Sequence, residues 1–170
     1  NTIRAGAGND TVYGQGGNDV IYGEDGDDAL RGEDGNDWLL GGEGSDRIVG
    51  GAGNDYIYGG NDQDALNGNE GDDVIYGQGG DDEVHGNSGN DWLLGGAGND
   101  VIKGGIGNDR LYGEAGNDYI ETNGGDDQVW TGSGRDVVLM SDDKGSVTIH
   151  DFNPREDRID LKIFDISTWS

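Results

Sequence analysis

Cysteine is absent from this 170-residue chain, which excludes disulfides and thiolate metal sites. Basic residues are scarce: ten Lys and Arg stand against 36 Asp and Glu, a formal net charge of −26. A polyanion repels a polyanion, so nucleic acid is excluded as a partner. Apolar residues make up 31 %, against roughly 45–50 % (glycine included) in an ordinary soluble domain. That excludes a conventional globular core. No apolar run approaches the roughly 20 residues of a membrane-spanning helix. The only histidines are His85 and His150, too far apart in sequence to read as a zinc or acid–base pair. No G-x-S-x-G, P-loop or H-E-x-x-H motif occurs, so the segment reads as non-catalytic. Composition of this kind ordinarily leaves a chain disordered. It folds only if something neutralises the charge.

Glycine is what the sequence has in excess, at 37 positions, and it is periodic. From Ala5 the chain aligns in steps of nine to Leu139 without an insertion or deletion, giving 15 units. Position six is Asp in every unit: Asp10, Asp19, Asp28, Asp37, Asp46, Asp55, Asp64, Asp73, Asp82, Asp91, Asp100, Asp109, Asp118, Asp127 and Asp136. Position eight is Val, Ile or Leu throughout, from Val12 to Val138. Position four is Gly except at Asp62, and position one is Gly except at Ala5, Thr122 and Thr131. Residues 1–4 fit the end of a preceding unit, with Ile3 at position eight, so the chain reads as a piece of a longer protein.

Side chains in a strand alternate between faces. Positions seven to nine therefore make a short strand with one aliphatic inward, and positions one to six make a turn. Glycine in the turn allows positive φ and close approach of neighbouring backbones. Two units close one 18-residue coil with a strand on each side, and coils stack at the strand spacing of about 4.8 Å. Seven and a half coils span about 36 Å. A lone Asp in such a turn would cap backbone groups. Fifteen at one phase point to a shared ligand.

The pattern G-G-x-G-x-D-x-U-x resembles the RTX (repeats-in-toxin) calcium-binding nonapeptide family over residues 1–139. The resemblance implies an all-β, right-handed parallel β-roll with calcium between turns on the same edge. The position-six aspartates of units i and i+2 would be the ligands. Turn carbonyls would join them, such as those of Gly6, Gly8, Gly17, Gly26, Gly35, Gly42, Gly44, Gly51, Gly53, Gly60, Gly71, Gly80, Gly89, Gly96, Gly98, Gly105, Gly107 and Gly116. Calcium favours six to eight oxygens in irregular cages. Seven gaps on one edge and six on the other give about 13 ions, whose +26 would match the −26 of the chain. Sites using the atypical units 7, 14 and 15 fit the pattern less well.

After Leu139 the register breaks, and continuing it would place Gly145 at the Asp position. Residues 140–170 contain Ile149, Asp151, Phe152, Asp157, Ile159, Asp160 and Leu161. That series resembles the segment closing RTX regions in serralysin-type proteases, bacterial lipases and alginate-epimerase R-modules. Two domains follow, a roll over 1–139 and a cap over 140–170. Phe152, Ile159, Leu161 and Phe164 would cover the open core end, whose strand edges are an aggregation hazard. Asp151, Asp157 and Asp160 are the alternative, one more calcium site.

Outward positions of the even units hold an aromatic series: Tyr22, Trp38, Tyr56, Tyr58, Tyr76, Trp92, Tyr112 and Trp130. Part of it reflects duplication, since GNDWLLGG recurs at 35–42 and 89–96. Cross-strand stacking explains such a row. The alternatives are a face for a neighbouring domain or a second copy, or a polysaccharide platform. Taken together, the expectation is a calcium-dependent folding module. The resemblance implies a type I-secreted, extracellular bacterial protein whose upstream domains the module stabilises. It would stay unfolded in calcium-poor cytosol and fold on meeting calcium outside. A carbohydrate-binding module or an adhesive, dimerising segment is the alternative.

Overall fold

The computed structural model describes residues 1–141 and 145–161. Strands follow one another with no helix among the described residues. The first six are β1 (Thr2–Ala7), β2 (Thr11–Gly16), β3 (Val20–Asp25), β4 (Ala29–Asp34), β5 (Trp38–Glu43) and β6 (Arg47–Ala52). Then come β7 (Tyr56–Asn61), β8 (Ala65–Glu70), β9 (Val74–Gly79), β10 (Glu83–Ser88), β11 (Trp92–Ala97) and β12 (Val101–Ile106). The last six are β13 (Arg110–Ala115), β14 (Tyr119–Gly124), β15 (Asp127–Trp130), β16 (Val137–Met140), β17 (Val147–Ile149) and β18 (Arg158–Leu161). Odd-numbered strands form one nine-stranded sheet and even-numbered strands the other, every pairing parallel. Partners lie 18 residues apart, as Ile57 with Ile75 and Leu66 with Val84. The chain is a parallel β-solenoid of about nine turns.

The position-eight aliphatics from Ile21 to Val138 form one buried line between the sheets. Ile3 and Val12 at one end, and Val147 and Ile149 at the other, are only partly covered. Strands are longer than the periodicity predicts, running over positions seven to nine and one to three of the next unit. The reason is that position one is a second inward place. Tyr56–Asn61 reads exposed, buried, half-buried, buried along its first four residues. At the glycines of that second place a side chain would collide, although Thr122 and Thr131 are accommodated there near the far end. A Cβ built on Gly104 would lie 2.5 Å from Asp109 Oδ2 and 3.0 Å from the Thr122 carbonyl oxygen. Position-one glycines are thus required by close approach, while positive φ is confined to positions two and four.

All eighteen glycines expected to present turn carbonyls have φ between +101° and +152°. Asp62 solves the position-four problem differently, in the left-handed region at φ +71°. Position two holds eight non-glycine residues at φ from +61° to +83°, among them Glu33 at +75°. Such a residue costs roughly 1–2 kcal/mol, partly offset by the greater unfolded-state freedom of glycine. Glu33→Gly should therefore raise the thermal midpoint of the folded chain by a few degrees. Gly105→Ala should lower it, because a Cβ there would press on Asn87 Cα at 2.7 Å. A melt in which Glu33→Gly is less stable than the parent would contradict the strain.

The sheets do not end at Leu139. β17 pairs β15 with Val147 opposite Asp127, an offset of 20, and β18 pairs β16 with Arg158 opposite Val137, an offset of 21. The same coil recurs with two and three extra residues, which is why the strict nine-residue register misses it.

Candidate metal centre

Each turn carries its aspartate to the same place on the solenoid edge, and the two carboxylate oxygens have different surroundings. Oδ1 accepts a hydrogen bond from the main-chain N–H of the aspartate one coil earlier. Asp55 N–H to Asp73 Oδ1 is 2.8 Å and Asp64 N–H to Asp82 Oδ1 is 2.8 Å. The same bond recurs from Asp28 to Asp136. Oδ2 has no partner. Fourteen of the fifteen aspartates, Asp19 to Asp136, hold a buried Oδ2 without a donor, and each of the fourteen residues is 3 % exposed or less. Asp10, in the first coil, is half-buried.

A buried, donorless carboxylate oxygen is costly, and its proton affinity reflects that. Burial pushes Asp73 up to about 8, with the charges of Asp91 and Asp55 adding to it and the Asp55 N–H opposing. Burial likewise takes Asp55, Asp64, Asp109 and Asp118 to about 7, against an ordinary value of 3.8. Asp46, Asp82, Asp91 and Asp127 reach about 6 for the same first reason. The folded edges thus hold carboxylates that need a positive charge or a proton.

The surrounding atoms suit a hard cation. Among the described residues no three His, Cys, Asp or Glu side chains gather into one metal-binding cluster. A cation held here would meet few carboxylates together with main-chain oxygens, a donor set that suits calcium better than zinc. The position-four carbonyls stack along the same turns: a Cβ on Gly26 would lie 2.6 Å from the Gly8 carbonyl oxygen.

One stabilising row escaped the sequence reading. Side chains at position five accept from the N–H of the equivalent residue one coil later, as Asn36 Oδ1 from Asn54 N–H at 3.0 Å and Asn99 Oδ1 from Asn117 N–H at 3.0 Å. Position-six bonds run the other way, so adjacent turns are clamped in both directions. The row's signal in the sequence is the recurring Asn-Asp and Asp-Asp pairs, whose second member is invariant while the first varies.

In the tail, Asp157 continues the aspartate row. Asp136 N–H lies 3.3 Å from its Oδ1, and Ile159 pairs with Val138 as a position-eight residue would. Its D-x-I spacing is the repeat's own, displaced by three residues. Asp151 accepts from Thr131 N–H at 2.8 Å and Gly132 N–H at 3.0 Å. Asp160 pairs instead with Arg158 at 2.6 Å. Asp151 and Asp157 meet at the Thr131 hydroxyl, 3.2 and 3.4 Å from it. Ile159 and Leu161 are exposed, Phe152 is half-buried, and Phe164 lies outside the described residues. Thr122 and Thr131 occupy position one fully buried. The Thr131 hydroxyl reaches Asp151 Oδ1 at 3.2 Å, whereas Thr122 Oγ1 has no partner.

The aromatic series forms two stacks on the odd-numbered sheet. Trp38 stacks on Tyr56 at 4.8 Å and Tyr58 on Tyr76 at 4.9 Å. Trp92, Tyr112, Trp130 and His150 follow at 5.9, 4.4 and 4.2 Å. Arg4 covers the Tyr22 ring at 4.1 Å. His150 is a rung the sequence reading left out, because the offset of 20 hid its alignment with Trp130. Trp38, Tyr56 and Trp92 are exposed, and the other five predicted members are half-buried. Ring faces lie against one another, leaving edges to solvent. Replacing Trp38, Tyr58, Tyr76 and Trp92 together by Ser should weaken folding by about 0.2–1 kcal/mol per lost pair. Sedimentation of parent and variant should give the same mass; a parent dimer lost in the variant would make the face an interface.

A family model described as the RTX calcium-binding nonapeptide repeat matches residues 1–30, 31–66, 58–93, 85–120 and 103–138. No curated protein matches the chain.

Proposed function

The chain belongs to the RTX calcium-binding nonapeptide repeat family, whose repeats bind calcium, and from that premise we propose a calcium-dependent folding module. Its ligands are the position-six aspartates, through Oδ2, with carbonyls of the glycine turns. The supporting observation is the row of fourteen buried Oδ2 atoms without a donor. Calcium supplies there the positive charge and oxygen-seeking coordination that the chain lacks.

The aspartates do two jobs at once in this reading. Oδ1 ties each turn to the previous coil whether or not metal is present. Oδ2 keeps the metal-free coils apart by its uncompensated charge. Folding and ligation are then one event, and a site shared between coils makes the coils cooperative. About 13 gaps between same-edge units are available. The family is typical of secreted bacterial proteins, so the proposed setting is extracellular, with the roll stabilising a larger protein. The even-unit aromatics serve the sheet itself, because their faces are occupied by one another.

The test is far-UV circular dichroism of the chain in chelator and then in rising calcium. A disordered spectrum should become β-rich near millimolar calcium, and magnesium, which demands near-octahedral geometry, should not substitute. A β spectrum that survives chelator at pH 8 would overturn the proposal.

A further inference from the structure

The outer face of the even-numbered sheet carries a feature that the edges do not use. Arg47, Ala65 and Glu83 are successive neighbours there, as are Val49, Asn67 and His85. The middle strand, β8, thus presents two short side chains between longer ones. The result is a notch of about 160 Å³ lined by Arg47, Val49, Ala65, Asn67, Glu83 and His85. It continues past Ala65 into an adjoining depression that shares Arg47, Ala65 and Glu83.

Hydrogen-bonding capacity in this notch is unevenly used. Glu83 Oε1 meets His85 Nε2 at 2.9 Å and Lys103 Nζ at 3.5 Å. Asn67 Oδ1 accepts from Asn87 Nδ2 at 2.8 Å. Among the described residues Glu83 Oε2 and the Asn67 NH2 remain without hydrogen-bond partners. So does Arg47, which has no acidic partner among the described residues despite the net charge of −26. Arg4 and Arg158 pair with Glu24 and Asp160, Arg31 and Arg110 lie over the rings of Tyr13 and Trp92, and among the described residues Arg135 and Arg155 share with Arg47 the lack of an acidic partner. A guanidinium offers a planar fork that matches a carboxylate. The volume holds about five waters, at roughly 30 Å³ each, the size of a compact organic acid.

We propose that this notch binds a small hydroxy-carboxylate, its carboxylate on Arg47 and its hydroxyls between Asn67 and Glu83. Such a group occurs both in free hydroxy acids and in sugar acids. The pairing is selective. A neutral sugar leaves Arg47 unmatched, and a simple acid without hydroxyls leaves Asn67 and Glu83 unmatched. Ala65 sets the size, since any larger residue there closes the floor.

The experiment is amide and imidazole NMR on the full chain in saturating calcium, titrated with glycerate, glucuronate, acetate and glucose. Glycerate or glucuronate should shift Ala65, Asn67 and His85 saturably in the millimolar range. The stronger of the two distinguishes a free hydroxy acid from a sugar acid. Acetate should bind at least tenfold more weakly and glucose not at all. Arg47→Gln and Ala65→Leu should each weaken binding at least tenfold while leaving the circular dichroism unchanged. Shifts that never saturate, that glucose reproduces, or that survive in both variants would overturn the proposal. Circular dichroism of the same samples keeps the two readings apart: a roll that never forms refutes the calcium module, and a formed roll without these shifts refutes the notch.

Discussion

Asp73→Asn should have opposite effects with and without calcium. The amide oxygen can still accept from Asp55 N–H, the bond that Asp73 Oδ1 makes at 2.8 Å. What disappears is a buried charge whose proton affinity is raised from 3.8 to about 8. Each pKa unit corresponds to about 1.4 kcal/mol, so at pH 8 the metal-free fold should gain on the order of several kcal/mol. In calcium the same variant lacks an anionic ligand shared by coils on both sides, and its folding midpoint should move to higher calcium. Asp10→Ala should change the midpoint far less, since Asp10 lies half-buried in the first coil. Chelator and calcium titrations of the three proteins read this out. If Asp73→Asn leaves the calcium midpoint where it was, the aspartates are turn caps and not ligands.

Acid should partly replace calcium. In the folded, metal-free chain, Asp46, Asp82, Asp91 and Asp127 titrate near 6 and Asp55, Asp64, Asp109 and Asp118 near 7, because burial disfavours their charged form. Unfolded, each titrates near 3.9. Between those values the folded state binds more protons, so stability falls as pH rises. The penalty is absent below about pH 4 and complete above about pH 8. In chelator, β structure should therefore be gained cooperatively as pH falls from 8 to 5, with a midpoint near 6–7 set by the buried groups. Simple relief of net charge would instead centre near 4, where exposed carboxylates titrate. With calcium saturating, the transition should vanish over this range. A chelated chain that stays unstructured at pH 5 would contradict the raised affinities.

The sequence was sufficient for the coil. A strict period of nine with one inward aliphatic leaves only two strands per 18 residues, and Ile21 through Val138 are buried in line as that requires. It also singled out the aspartates, since invariance at one phase is visible without coordinates. What it could not supply was the difference between two oxygens of one carboxylate. Oδ1 is a structural acceptor and Oδ2 is buried without a donor, and that distinction arises only when coils are stacked. The fold also explains why position one is glycine in most units: a Cβ on Gly104 would meet Asp109 Oδ2, brought back by the turn, and the Thr122 carbonyl of the next coil. Asp157 and His150 join the aspartate row and the aromatic stack through pairing offsets of 21 and 20. Sheet pairing tolerates extra residues in a turn, whereas a fixed period does not. The notch at Ala65 is likewise a product of neighbours 18 residues away on either side. Local pattern determined which residues face in or out, and contact between coils decided which of their atoms remain free to bind.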